Sequence, residues 1–538
     1  MTLVTSAAHA VTVTGRQVAV LHRAGIIDLR HPLRVARTAR TVRTLGPIAG
    51  GVRSAARTTP DRVALVDAAG AVGYGELDRW TDAIAAHWRG SGLGAGSVVA
   101  ALGRDDRFLV ATMIAVAKIG ARLVLMNTGF SGTQLADVAA RESVTSIVSS
   151  GEFADVVAAL PDSVTSLDLP APPPAGEAVA VPPVPARPGG FVLLTGGTTG
   201  TPKGAPRTVQ SPLAAAQFLD RVPWRRGATM LLCAPLFHGT ALSQFILALN
   251  LGCTVVLHGR FDARRAVVQI ERHRCDGVVL VPTMLRRILD LGPGELATFD
   301  TSALRVIFTA GAALAPSLGD RAIEVFGPVI YNFYGCTETG TATIATPEDW
   351  IAAPGTVGKP PVGIRVGLYS EDGTRLDRPG QVGTVYVGNA IAFSGYSGGG
   401  SKKMIDGLMS TGDLGHFDSE GRLFIDGRDD DMIVSGGENV FPGEIEDLLY
   451  AHPAIAEAAV IGVEDEEFGQ RLAAFIVRSG ELDEASVRAY VKSRSARFKV
   501  PRDVVFVDEI PRTTTGKTDR RALARIDRTQ PPTPSDVR

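Results

Sequence analysis

The sequence predicts an α/β protein, with a large N-terminal domain of parallel-type α/β sheets carrying a β-rich subdomain, and a small mobile α+β C-terminal domain. Three observations predict it. From Arg62 onward, short apolar runs alternate with amphipathic helical patterns, the order from which parallel βαβ units are built. A chain of 538 residues exceeds what one hydrophobic core supports, so two or more domains are expected. Near residue 427 the stretch "GRDDDMIVSGGENVFPGEIEDLLY" packs charge and glycine together, then restarts the pattern with a new helix. The expected divisions are an Arg-rich extension over 1–54, the large domain over 55–427, and a small domain after it. The tail at 523–538 is expected to be disordered.

Taken in order, the first sixty residues hold nine arginines against one acid, Asp28. Arg34, Arg37, Arg40 and Arg43 recur every three residues, with Leu33, Ala36, Ala39 and Val42 beside them. The preferred reading is a solvated helix packed on the main body; the other is peripheral contact with an anionic membrane. The first residues lack a basic n-region, so no signal peptide is expected. "VALVDAAGAVGY" reads as two short strands around a turn. "GELDRWTDAIAAHWRGSG" places Leu77, Trp80, Ile84 and Trp88 on one helical face. "SVVAALG", "RFLVATMIAVAKIGA" and "RLVLMN" form strand, helix and strand, and "VTSIVSS" continues them. Residues 168–190 are Pro-rich and non-periodic, hence a connector. Residues 228–259 contain no Lys, Arg, Asp or Glu, as a membrane span would. Pro235, His238, Gln244, Asn250 and His258 instead indicate a buried strand, loop and helix.

"GGFVLLTGG", "ALRVIFTAGAALAP" and "GPVIYNFYGCTETG" each run from an apolar strand into a polar loop. Ligands of open α/β sheets bind outside the carboxyl ends of strands, so these loops are candidates for one crevice. Composition is that of an ordinary globular enzyme, 45% hydrophobic and 21% charged. A net charge of -1 argues against nucleic acid as the main partner. The four cysteines show no CxxC spacing, so neither a zinc site nor a disulfide framework is indicated. A reducing, cytoplasmic setting is expected, with membrane association through the basic helix as the variant reading.

The chemistry concentrates in four motifs. "LLTGGTTGTPKG" at 193–204 is Gly/Thr-rich and ends in a lysine, yet Lys203 stands between Pro202 and Gly204, which breaks the P-loop spacing. Gly196, Gly197 and Gly200 offer backbone N–H groups to an anion; Thr195, Thr198 and Thr199 add hydroxyls, and Lys203 adds charge. "YNFYGCTETG" at 331–340 carries Glu338 after Thr337. One carboxylate at a strand end suits Mg²⁺, which takes one or two of them plus substrate phosphates. "STGDLGHFDSEGRLFIDGR" at 410–428 supplies Asp413, suited to two ribose hydroxyls, and Arg428. "PRTTTGKTDR" at 511–520 supplies Lys517 on a flexible loop.

In this order the motifs resemble the adenylate-forming superfamily of acyl-CoA synthetases, peptide-synthetase adenylation domains and luciferases, from about residue 55 to 522. Within it the chain looks most like a fatty acyl-CoA synthetase. The resemblance implies that Thr195 to Gly200 and Lys203 hold the β- and γ-phosphates of ATP. Gly311, Ala312, Ala313, Asn332, Tyr334 and Gly335 would line the adenine pocket. Thr337 would contact the α-phosphate, Glu338 the magnesium, and Asp413 with Arg428 the ribose. Lys517 would bridge the acyl carboxylate and the α-phosphate. His238 of "PLFHG" would sit beside the acyl pocket, unless it is merely a packed core histidine.

Asp430 matches the hinge, over 428–431, about which a lid at 432–522 turns, and Gly436 and Gly437 would approach coenzyme A. The family usually has Thr-Ser-Gly where this chain has Thr195-Gly196-Gly197, so one hydroxyl is lost while the backbone donors remain. The implied reaction is ATP-dependent activation of a medium- or long-chain fatty acid to acyl-AMP, then transfer to CoA. The alternatives are an aromatic or branched-acid CoA ligase, an acyl-AMP ligase loading a carrier protein, or a silent nucleotide-binding scaffold.

Overall fold

The computed structural model describes residues 3–195, 203–207, 212–389, 402–428, 433–435, 438–465, 469–495, 499–513 and 517–526. An eight-stranded sheet forms the spine of the large domain. Its spatial order is Gly340–Ala345, Ile330–Cys336, Val306–Thr309, Gly277–Leu280, Thr229–Leu232, Thr254–Leu257, Val63–Asp67 and Gly70–Gly73. Every neighbouring pair is parallel except the hairpin at each end. The four inner strands over 229–309 are apolar and covered on both faces, as parallel sheets require. A six-stranded sheet repeats the pattern, with one antiparallel hairpin at its edge, Phe191–Thr195 paired to Lys203–Arg207.

A third sheet, built from strands within 365–428, is wholly antiparallel and forms the β-rich subdomain. The C-terminal domain has its own sheet over 433–506 and its own apolar cluster around Ile445, Leu449, Val460 and Phe475. This is the α/β architecture with a small α+β partner that the alternating pattern predicts.

Four helices at the N-terminal end explain how the Arg-rich extension is held. Helix α1 is Leu3–Ala24, α2 is Pro32–Thr58, α3 is Tyr74–Gly90 and α4 is Arg107–Ile119. The expected face of α3 is buried through Leu77, Trp80, Ile84 and Trp88. The indole N–H groups of Trp80 and Trp88 donate to the carbonyls of Pro170 (2.7 Å) and Asp168 (2.9 Å), clamping the start of the Pro-rich connector. Helix α4 is capped by Asp106, whose carboxylate accepts from Leu109 N at 2.9 Å, and it ends at left-handed Gly120.

Helix α2 is bent at Gly46 (φ 75°), immediately before Pro47, so it has two halves. On the first half Arg34, Arg37, Arg40 and Arg43 are exposed, while Val42 is buried. The second half buries Ile48, Ala49 and Val52, and each full burial of a large aliphatic chain contributes about 1.5–3 kcal/mol. The helix runs straight through the expected boundary at residue 54. Arg53 of α2, Asp78 and Asp82 of α3, and Lys118 of α4 form a buried cluster of two cations and two anions. Lys118 is 1% exposed, and its ammonium donates to Asp78 O (2.7 Å), Asp78 Oδ1 (2.8 Å) and Asp82 Oδ1 (2.8 Å), using all three protons.

Residues 228–259 form the strand Thr229–Leu232, a loop through His238, helix α5 (Gly239–Asn250) and the strand Thr254–Leu257. Among the described residues no helix is long and apolar enough to cross a membrane.

Candidate active site

A cavity of about 2180 Å³ lies between the ends of these strands, the β-rich subdomain and the C-terminal domain. The loop after Val306–Thr309 brings Gly311, Ala312 and Ala313 to its wall. Strand Ile330–Cys336 and the turn after it bring Asn332, Tyr334, Gly335, Thr337 and Glu338. The β-rich subdomain contributes Asp413 from Leu408–Phe417 and Arg428 from Leu423–Arg428; the C-terminal domain contributes Lys517. His238, at the N-terminus of α5, completes the ring. Six stretches separated by up to 279 positions, from His238 to Lys517, therefore face one space.

Of the Gly/Thr loop, Thr195 and Lys203 are paired across the end of an antiparallel hairpin. Gly196, Gly197, Thr198, Thr199 and Gly200 lie outside the described residues, as do Asp430, Gly436 and Gly437.

Local geometry explains the individual positions. Gly335 must be glycine because a Cβ there would fall 2.2 Å from Gly340 O across the hairpin. Asn332 is buried and donates from Nδ2 to Thr356 O at 3.1 Å. Tyr334 Oη donates to Asp413 Oδ2 at 2.6 Å, and Arg428 Nη1 lies 3.5 Å from Asp413 Oδ1. Burial raises the Asp413 carboxyl above the usual range, against the opposing pull of the Tyr334 hydroxyl and the charges of Arg428, Lys402 and Lys517. His238 is pulled down to about 4 by burial and by the charge of Lys517, so near neutral pH its imidazole is uncharged.

Three residues that sequence reasoning passed over shape this site. Arg207, 7% exposed, donates to the carbonyls of Thr337 and, at 3.1 Å, Glu338, fixing the turn that carries both. Its only sequence signal is an arginine in a short strand otherwise inward-facing. Lys402 lines the cavity and donates to Thr411 O at 2.8 Å, two residues before Asp413. Asp105 is buried, and both carboxylate oxygens accept the Leu236 amide (3.2 and 3.1 Å), which holds the loop leading to His238.

Burial pushes the Asp105 carboxyl up to about 7. Because its folded value lies above the usual 3.8, stability is present at low pH and is lost as pH rises from about 4 through 7. Asp105→Asn keeps an acceptor for Leu236 N and cannot ionise. The variant is expected to gain on the order of a few kcal/mol at pH 8 and only about a third of that at pH 5. Thermal unfolding at the two pH values checks this, and equal gains at both would count against the assignment.

The profile of the AMP-binding enzymes matches residues 52–397, and that of the AMP-binding enzyme C-terminal domain matches 444–517. The indoleacetate–CoA ligase of Aromatoleum aromaticum is 34% identical, over 82% of this chain and 91% of that one. The fatty acid–[acyl-carrier-protein] ligase of Streptomyces coeruleorubidus is 31% identical, over 84% of this chain and 90% of its own. Among solved structures, the o-succinylbenzoate CoA synthetase of Bacillus subtilis, in complex with its acyl-adenylate intermediate, superposes with a TM-score of 0.80. It is 27% identical and covers 89% of this chain and 99% of its own. The relatives thus span aryl and alkyl acids, and the likeness is to the superfamily rather than to fatty acyl-CoA synthetases in particular. The chain belongs to the AMP-binding enzymes and is an acid-activating ligase of the adenylate-forming superfamily.

Proposed function

We propose that the protein uses ATP to convert an aryl or arylalkanoic acid to its acyl-adenylate, then transfers the acyl group to coenzyme A. The observation that carries the substrate class is the aromatic lining on the His238 side of the cavity. Of the lining rings, Phe218 and Phe333 stack with centroids 5.9 Å apart, backed by the buried Phe308 5.5 Å from Phe333, and the Phe237 ring is 4.5 Å from that of His238. Such walls favour a flat ring by offset and edge contacts. Relatives whose names give indoleacetate and o-succinylbenzoate as substrates agree with it.

In this reading Lys517 meets the carboxylate as it approaches the α-phosphate, offsetting charge that builds when two anions are brought together. The neutral His238 imidazole, beside it, adds no second cation to the acyl entrance. Asp413 and Arg428 hold the ribose, and Tyr334 keeps Asp413 oriented through its 2.6 Å bond. The Gly311–Ala313 loop, without bulky side chains, leaves a flat wall for adenine. Among the described residues there is no cluster of three or more His, Cys, Asp or Glu able to cage a metal. Glu338 and the substrate phosphates would serve Mg²⁺, which takes one or two carboxylates. When bound, the ion supplies charge compensation to the phosphates.

The test is AMP release with ATP and CoA over a panel of benzoate, indole-3-acetate, octanoate and palmitate. The aryl acids are expected to show the highest kcat/KM, and AMP release is expected to stop when CoA is omitted. A strong preference for palmitate would replace this reading with the fatty-acid one. One observation favours that second reading: the cavity continues along the whole of α5, past Thr240, Ser243, Ile246 and Asn250. At 1.5 Å per residue this is about 16 Å, longer than a single ring fills.

A further inference from the structure

One wall of the far end of that cavity lies outside the part of the chain that the family profile covers, which begins at residue 52. Its wall is the first half of α2, where Val35, Thr38, Ala39 and Val42 face inward. Their spacing of three, four and seven is one stripe of a helix, opposite the exposed Arg34, Arg37 and Arg40. The facing wall is α5, lined by Thr240, Ser243, Ile246 and Asn250 at the same kind of spacing.

The two helices are fastened where the cavity ends. Asn250 Nδ2 donates to Pro47 O at 2.9 Å and to Ile246 O at 2.7 Å, so the bend of α2 is tied to the last turn of α5. Gly51 permits this approach, since a Cβ there would sit 3.1 Å from Asn250 Nδ2. Below the bend α2 is locked by its buried residues and by Arg53; above it, the helix spans the open cavity.

We propose that the inner face of α2 is a specificity-determining wall of the acyl site, which receives the apolar end of the substrate and sets the longest tail accepted. This rests on the acid-activating reading above, but not on whether the tail is aryl or alkyl. Val35, Ala39 and Val42 present apolar surface to the tail from α2, while Asn250 places a polar atom at the closed end. The small Ala39, with a larger residue one helical turn away on either side, is where added bulk intrudes most.

Ala39→Trp and, one turn nearer the open end, Val35→Phe are the test variants, with Arg37→Ala on the outward face as control. Adenylation is measured for two homologous pairs, benzoate with 4-octylbenzoate and hexanoate with palmitate. Ala39→Trp is expected to lower the long-to-short ratio of kcat/KM by about tenfold or more, the scale on which a hydrophobic pocket discriminates added methylenes. Arg37→Ala is expected to leave the ratio as it is. If Ala39→Trp does not fold, Val35→Phe carries the same expectation.

Binding of 11-(dansylamino)undecanoic acid, followed by its fluorescence, reads the distal end without turnover and is expected to weaken by a similar factor. An unchanged ratio together with unchanged probe affinity would overturn the proposal. If neither acid series is adenylated by the unaltered protein, the substrate reading fails, and probe affinity in the variants alone decides the role of α2.

Discussion

Lys517→Ala is expected to lose about 10²–10³-fold of its carboxylate-dependent pyrophosphate release while retaining thioester formation from supplied acyl-adenylate. The structure gives the reason in three observations. Lys517 lines the shared cavity although it belongs to the C-terminal domain. Its charge is felt by both His238 and Asp413, which line the same cavity. Its backbone is held by Thr513 N donating to Lys517 O at 2.7 Å and by the bridge between Arg512 and Thr518. A cation between two approaching anions acts on the first half-reaction only. Pyrophosphate exchange and thioester formation, assayed separately, check this. Equal losses in both half-reactions would show that Lys517 does something other than meet the carboxylate, and an unimpaired exchange would remove it from the chemistry.

Lys118→Met is expected to cost about 3–5 kcal/mol, the penalty of leaving a buried charge without its partner. In the native cluster two carboxylates face two cations, and Lys118 satisfies both Asp78 and Asp82. Burial opposes the charged form of Lys118, and the two aspartates restore it. With methionine, the shape is roughly kept but Arg53 alone must neutralise two anions. The double variant Lys118→Met with Asp82→Leu removes one charge of each sign and is expected to recover part of the loss. Thermal unfolding of the three proteins decides it: a loss under about 1 kcal/mol for the single variant would mark the cluster as no more than a surface-type pair. Because Arg53 stands in α2, the single variant is also expected to loosen the helix that covers the acyl site.

The sequence was informative where chemistry is consecutive. Glu338 beside Thr337, Asp413 within its strand and Arg428 at the end of the next could be placed on one cavity wall because each motif is local. The alternation from Arg62 onward gave both large sheets for the same reason. Contacts that depend on tertiary packing were not visible. Nothing in the text joins Pro47 to Asn250, 203 positions apart, or Arg53 to Lys118. Asp105 and Arg207 act by holding backbone groups of distant loops, and a backbone carbonyl or amide leaves no residue-type signature. The extension likewise read as a basic helix with a solvated face; its inward stripe gained meaning only once α5 was opposite. The acyl tail class also escaped, because it is decided by the shape enclosed between elements that the sequence names one at a time.

The contact between the domains carries a consequence for turnover. Arg286, on the large domain, places its guanidinium 4.3 Å from the centre of the Tyr450 ring on the helix Pro442–Tyr450, and its Nη1 lies 3.5 Å from Ala456 O. A guanidinium over an aromatic face at a part-exposed interface contributes about 0.5–1 kcal/mol or more. That energy belongs to the arrangement in which Lys517 faces the cavity. If the C-terminal domain turns about the expected hinge, the contact would act as a latch, adding occupancy to the arrangement in which Lys517 faces the cavity. Through one stacked arginine, the surface between the domains favours the arrangement in which Lys517 faces the cavity.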